Sequence, residues 1–144
     1  MSSGSIEEPG DVRDCVLIPG GGRQFEGRQN VSYFEGISAQ SAGSKALCLH
    51  VMRLPPGGHA EPHLHADHES AVYVISGTVE HRWGDGLRER MLVLPGDFLY
   101  IPAGVPHAPY NASDTEPAVA VLARTDPNEQ ESVVLLPDLS VPDR

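Results

Sequence analysis

Residues 96–111 read Gly-Asp-Phe-Leu-Tyr-Ile-Pro-Ala-Gly-Val-Pro-His-Ala-Pro-Tyr-Asn. The apolar run Phe98 to Ile101 predicts a short strand, and Pro102-Ala103-Gly104 behind it predicts a tight turn. A strand that runs into such a turn re-aims the chain beyond it, and that part of the chain carries one histidine, His107. The nearest upstream stretch with comparable chemistry is 57–77, Gly-Gly-His-Ala-Glu-Pro-His-Leu-His-Ala-Asp-His-Glu-Ser-Ala-Val-Tyr-Val-Ile-Ser-Gly. Four of the seven histidines fall between His59 and His68. On a strand successive side chains alternate faces, so His63 and His65 project to one side and can approach one ion from neighbouring positions. Two imidazoles at that spacing form half of a site for Zn, Fe, Ni, Cu or Co.

The rest of the chain suits short strands. Fifteen glycines and thirteen prolines in 144 residues, without a fixed repeat, make turns frequent and long helices unfavourable, which indicates an all-β barrel or sandwich. Expected strands lie near 14–18, 31–35, 45–54, 61–65, 70–76, 78–83, 89–94, 97–102, 106–110, 117–124 and 132–136. The length fits one domain, expected over 13–136, with polar or proline-containing tails at 1–12 and 137–144.

Twenty acidic against ten basic residues give a net charge of −10, and no Lys/Arg cluster offers a footprint for phosphate backbones, so nucleic acid is not an expected partner. No apolar run approaches the ~18 residues that span a bilayer, so no membrane partner is expected. Cys15 and Cys48 are too few for a disulfide framework, and with no apolar leader the expected location is cytoplasmic. Nucleophile elbows, phosphate loops and dinucleotide fingerprints are missing, which leaves metal chemistry as the mechanism the motifs support.

These two stretches resemble the cupin family. Gly96, Pro102, Gly104, His107 and Asn111 match every fixed position of that family's second motif, Gx5PxGx2Hx3N. Gly57, His63, His65 and Glu69 match its first, Gx5HxHx3Ex6G, which then departs, because seven residues separate Glu69 from Gly77. The resemblance implies an antiparallel double-stranded β-helix, the cupin jelly-roll barrel, holding one divalent transition metal: Fe(II) foremost, with Zn, Ni, Mn, Cu or Co as other occupants. It implies His63, His65, Glu69 and His107 as ligands.

The extra residue leaves the fourth position open. Registering the strand on Gly77 puts Ser70, not Glu69, on the face of Val72 and Val74. A bulge could turn Glu69 inward, His68 could replace it, or water could fill the position. Glu61, which shares the parity of His63 and His65, and Glu69 are candidate acid/base groups. Tyr100 and Phe98 on one strand, and His81 and Trp83 on another, are expected to face the barrel interior, with Tyr100 a candidate catalytic group. His50 and His81 read as ordinary polar strand residues, and Arg53 and Arg124 end strands where they could meet an anionic substrate.

The resemblance further implies a metal-dependent enzyme acting on a small chelatable molecule, foremost a dioxygenase or other oxidoreductase. An isomerase, lyase or cyclase is the first alternative and a non-catalytic binding cupin the second. It also implies a homodimer, for which Ser132-Val-Val-Leu-Leu136 is a candidate edge unless that segment pairs within its own barrel.

Overall fold

The computed structural model describes residues 14–128, 130 and 132–142. The segment 1–12, read as a tail, lies outside the described residues, as do 143–144. Among the described residues there are eleven strands in chain order: β1 (Arg23–Glu26), β2 (Ser32–Ile37), β3 (Cys48–Leu54), β4 (His63–His65), β5 (Ser70–Ser76), β6 (Val79–Trp83), β7 (Glu89–Val93), β8 (Phe98–Ile101), β9 (His107–Asn111), β10 (Ala118–Arg124) and β11 (Val133–Leu135). A one-turn helix, α1 (Ala39–Ala42), lies between β2 and β3 and is capped by Ser38.

All pairings are antiparallel, in two sheets ordered β1-β2-β3-β10-β5-β8 and β11-β4-β9-β6-β7. This is the jelly roll that the motifs implied. Alternation along the central strands sets the core: Met52 and Leu54 of β3, Val72 and Val74 of β5, and Leu122 of β10 turn inward to meet Val79 and Val93 of the second sheet. No helix among the described residues is long and apolar enough to cross a membrane.

The turns explain the fixed positions of the motifs. Gly77 sits at φ +76°, where a Cβ would lie 2.5 Å from the Pro117 carbonyl oxygen, so only glycine lets β5 turn into β6. Asn111, 4% exposed, donates from Nδ2 to the carbonyls of Leu54 (3.2 Å), Pro55 (3.1 Å) and Glu116 (2.8 Å), and its Oδ1 accepts from Ser113 N. Its role is to tie the loops leaving β3 and β9 together.

Three expectations change. The apolar stretch 14–18 forms no strand; Pro19 and three glycines at positive φ turn the chain after it, leaving Leu17 exposed. The first strand is instead β1, a mostly polar segment on the sheet edge whose Phe25 packs on Tyr33. The third change is one of face. Phe98 and Tyr100, expected inside the barrel, point outward, 81% and 60% exposed, while Leu99 and Ile101 turn inward. The register explains it, since Ile101 lies opposite Ser70 and Leu99 opposite Val72, both inward residues of β5. Phe98 joins a cross-strand row on the outer surface: Phe34, Val51, Val121, Tyr73 and Phe98 stand side by side on β2, β3, β10, β5 and β8. Phe98→Ser is therefore expected to change unfolding free energy by less than about 0.5 kcal/mol in a urea titration. A loss of ~3–5 kcal/mol, the usual result of emptying a core aromatic site, would instead place the ring inside.

β11 pairs with β4 of its own chain and forms the edge of the second sheet. Beyond it, Leu139 and Val141, in the segment read as a tail, pack with Leu87, Ala108 and Tyr110 on that sheet's outer surface.

Candidate metal centre

The three predicted histidines meet. β4 and β9 pair at a single position, His63 opposite His107, and directly opposed side chains on an antiparallel ladder start roughly 5 Å apart. His65, two residues on, shares their face. The ligand nitrogens of His63, His65 and His107 lie within 4.8 Å of one another, all three side chains buried. Ring centroids are 4.3 Å apart for His63 and His107, 5.0 Å for His63 and His65, and 5.4 Å for His65 and His107.

Backbone contacts orient two of these rings. His63 Nδ1 donates to the Glu61 carbonyl at 2.6 Å, and His107 Nδ1 donates to the Val105 carbonyl at 2.9 Å. A ring that donates from Nδ1 keeps the lone pair on Nε2, the arrangement that ligating histidines need. Burial is the main reason both stay neutral: it lowers His63 to about 3 and His107 well below the ordinary histidine value, with neighbouring histidines and the charge of Arg124 adding to it. Three buried, converging imidazoles fit a borderline transition ion such as Fe(II), Zn, Ni or Co.

Glu69 does not join them. Ser70, Val72 and Val74 keep strict inward parity, so Glu69 falls on the outer side, where its Oε1 accepts from the Tyr100 hydroxyl at 2.7 Å. β5 does contain a bulge, since Val119 pairs with Ser76 and Ala120 with Val74, but it sits at Ile75, beyond the inward run, and leaves Glu69 where it is. His68 is also elsewhere: its Nδ1 contacts the Thr125 carbonyl at 2.8 Å, with Nε2 3.7 Å from Asp126. Glu61 serves through its backbone, while its carboxylate is half exposed and 3.9 Å from His59. Tyr100 lies outside the barrel with Glu69.

Other strand residues complete the cavity. His81, from β6, lines it beside His63 and His107, with its ring 5.6 Å from that of His107 and burial lowering its pKa to about 4. Trp83 stacks on it at 5.6 Å. His50, also buried, faces Phe25 and the Gly36 amide instead. Arg124 is the cation of the cavity wall, 5% exposed, and the strand-end position that suggested an anion contact could not have shown that it points inward. Arg53, in contrast, is exposed on the outer face.

A two-sheet antiparallel barrel with three converging imidazoles on its inner wall defines a class of small β-barrel whose interior could hold one metal ion. The chain belongs to the cupin family: the family model described as a cupin domain matches residues 50–123, just over half of the sequence.

Solved structures give the same fold. An oxalate oxidase in complex with glycolate superposes with a TM-score of 0.66 at 18% identity, covering 95% of this chain and 68% of the other. An oxalate decarboxylase from Lactobacillus farciminis, in a formate complex, gives 0.67 at 20% identity over 79% of this chain, which spans only 33% of that enzyme. Peruvianin-I, a cysteine peptidase from Thevetia peruviana latex, gives 0.65 at 17% identity over 78% of this chain and 70% of the other. A search of curated proteins returned no match. An oxidase, a decarboxylase and a peptidase on one fold show that the fold alone does not choose the reaction.

Proposed function

We infer that this chain is a mononuclear metal-dependent oxidoreductase that uses dioxygen on a small chelating substrate. The observation that carries it is the ligand set: three buried imidazoles and, among the described residues, no carboxylate in the group. His63, His65 and His107 would hold one divalent ion, Fe(II) foremost. Such an ion supplies Lewis acidity toward a chelating pair of oxygens and one-electron chemistry toward dioxygen.

The chain's own residues favour this over proton-transfer chemistry. Neutral ligands leave the charge of the ion uncompensated, so the pocket selects a substrate that arrives as an anion, such as the enolate of a β-dicarbonyl or a hydroxyketone. Glu61, Glu69 and Tyr100 all stand outside the cavity, and His81 is a weak base there, so an isomerase would lack a carboxylate base. Met52, Val72, Val74 and Leu99 wall the site with apolar surface that keeps water from the reacting atoms.

Protein loaded anaerobically with Fe(II), then supplied with acetylacetone, 2,3-butanedione or hydroxyacetone in an oxygen electrode, should consume oxygen in proportion to substrate. The Zn-loaded form should consume none. Turnover that persists without oxygen, or with Zn, would replace the oxidase with an isomerase or lyase.

A further inference from the structure

The outer face of the larger sheet is apolar where water should touch it. An antiparallel sheet with one solvated face alternates apolar-in with polar-out. Here β3, β10, β5 and β8 turn leucine, valine, isoleucine, tyrosine and phenylalanine outward as well, and Arg53 is the one charged residue on their outward positions. Phe98, Tyr100 and Tyr73 are 81%, 60% and 38% exposed, which at ~200 Å² for a whole aromatic side chain leaves roughly 300–400 Å² of ring surface in water. Leu47, Leu49 and Ile75, each about half exposed, enlarge the patch. The largest apolar patch on a typical monomer is about 300–600 Å², and one partner of a standard protein interface contributes about 800 Å². This face passes the first figure and approaches the second.

The same face carries a projection and a recess. Ala71 and Ala123 stand side by side on β5 and β10, and their short side chains floor a hollow of about 290 Å³ that Tyr100, Leu47, Glu69 and Arg124 also line. Apolar cavities of about 150 Å³ already hold a benzene ring, and a guanidinium on the lining suits an aromatic face. Phe98 lies two residues from Tyr100 on β8, opposite Tyr73, and Tyr100 lies opposite Ala71. Ring and hollow are therefore neighbours. A two-fold axis in the plane of contact, passing between them, sends each copy's ring into the other's hollow, as a self-complementary interface requires.

We propose that the outer face of β3, β10, β5 and β8 is the contact between two copies of this chain, each placing its Phe98 ring in the Ala71–Ala123 hollow of the other. One surface supplying both ring and recess selects a second copy as the occupant. The net charge of −10 opposes approach to an anionic lipid surface. Two copies also repel at a distance, but the outward positions of these strands hold no acidic residue, and charges more than about 8 Å apart are largely screened at physiological salt. β11, the expected dimer edge, is engaged with β4 of its own chain, so the contact falls to the other sheet.

Sedimentation velocity over a concentration series tests this on the full chain. The wild type should be a dimer at high concentration and dissociate on dilution. Phe98→Asp should weaken association by about a hundredfold or more, since the buried aromatic is lost from both copies. Ala71→Phe, which fills the hollow, should weaken it as well. Joining Ala71→Phe to Phe98→Ala moves the ring from one side of the contact to the other, and should recover at least about tenfold of the affinity lost by Ala71→Phe alone. Circular dichroism should show the same fold throughout. A dimer adds stability only above its dissociation constant, so below it the Phe98 variants should unfold as the wild type does.

Leu17→Asp is the control, because Leu17 is an exposed apolar residue away from this sheet and should leave the dimer intact. A wild type that stays monomeric at every concentration overturns the interface, whether or not it cosediments with phosphatidylcholine vesicles. So does a dimer that survives both Phe98→Asp and Ala71→Phe, or one that Leu17→Asp dissolves instead. Strictly additive losses in the combined variant would show that ring and hollow do not meet. None of these readouts depends on metal uptake or oxygen consumption, so the interface is decided apart from the proposed reaction.

Discussion

His107→Ala is expected to abolish stoichiometric metal binding while Glu69→Gln leaves it intact. Loss of a group that merely supports a ligating histidine weakens metal affinity by about 10–100-fold, and loss of the ligand itself weakens it further. His107 stands opposite His63 on the β4–β9 ladder, so its removal leaves two adjacent imidazoles on one strand with nothing across from them. Elemental analysis after loading and desalting should give one ion per chain for the wild type and for Glu69→Gln, and none for His107→Ala. Thermal unfolding gives a second readout. An ion present at a hundred times its dissociation constant stabilises the folded state by about 2.7 kcal/mol, roughly 5–10 °C for a domain of this size. Zinc should raise the melting temperature of the wild type by that order and leave His107→Ala unmoved. An equal shift in both, or loss of the ion from Glu69→Gln, would show that the site is not the three histidines.

Asn111→Ala should destabilise the fold by about 2–4 kcal/mol. One side-chain amide serves three carbonyl oxygens and accepts one backbone N–H, and alanine leaves these groups short of partners in a nearly dry place. Asn111→Asp separates donation from volume. It keeps the size and the acceptor for Ser113 N but points a carboxylate at three carbonyls, so it should be at least as damaging as alanine. Denaturant midpoints measure both. If Asp were tolerated and Ala were not, packing rather than hydrogen bonding would explain the residue.

Much of the site was legible because strand parity and turn chemistry are local. His63 and His65 share a face on any extended backbone, and the fixed positions Gly77 and Asn111 turn out to be a backbone requirement and a loop tie, both traceable to neighbours a strand away. The face of Phe98 and Tyr100 was not legible. Phe98, Leu99, Tyr100 and Ile101 are all apolar, so hydrophobic alternation cannot say which pair turns inward; the pairing of β8 with β5 decides it. Glu69 was half legible, since counting back from Gly77 already put Ser70 inward, but whether a bulge would intervene depended on where β5 pairs irregularly with β10. β1 escaped notice because an edge strand with one packed aromatic has too weak a pattern to register. Arg124 ends a strand in sequence and lines a cavity in space, and only the closed barrel relates the two.

The place of β4 has a consequence for how the centre comes into being. Two of the three histidines sit on a strand of three residues, flanked by β9 through one residue pair and by β11 through three: Val133 opposite His65, Val134 opposite Leu64, and Leu135 opposite His63. A chain emerging from a ribosome presents His63 and His65 early and His107 later, yet the strand that carries the first two gains its broader flank only when Val133–Leu135 emerges. Synthesis halted between Asn111 and Val133 would yield a polypeptide with all three histidines and both motifs but a loosely held β4. The order of manufacture thus delays the assembly of the candidate metal site until β11 is available to flank the strand that carries two of its histidines.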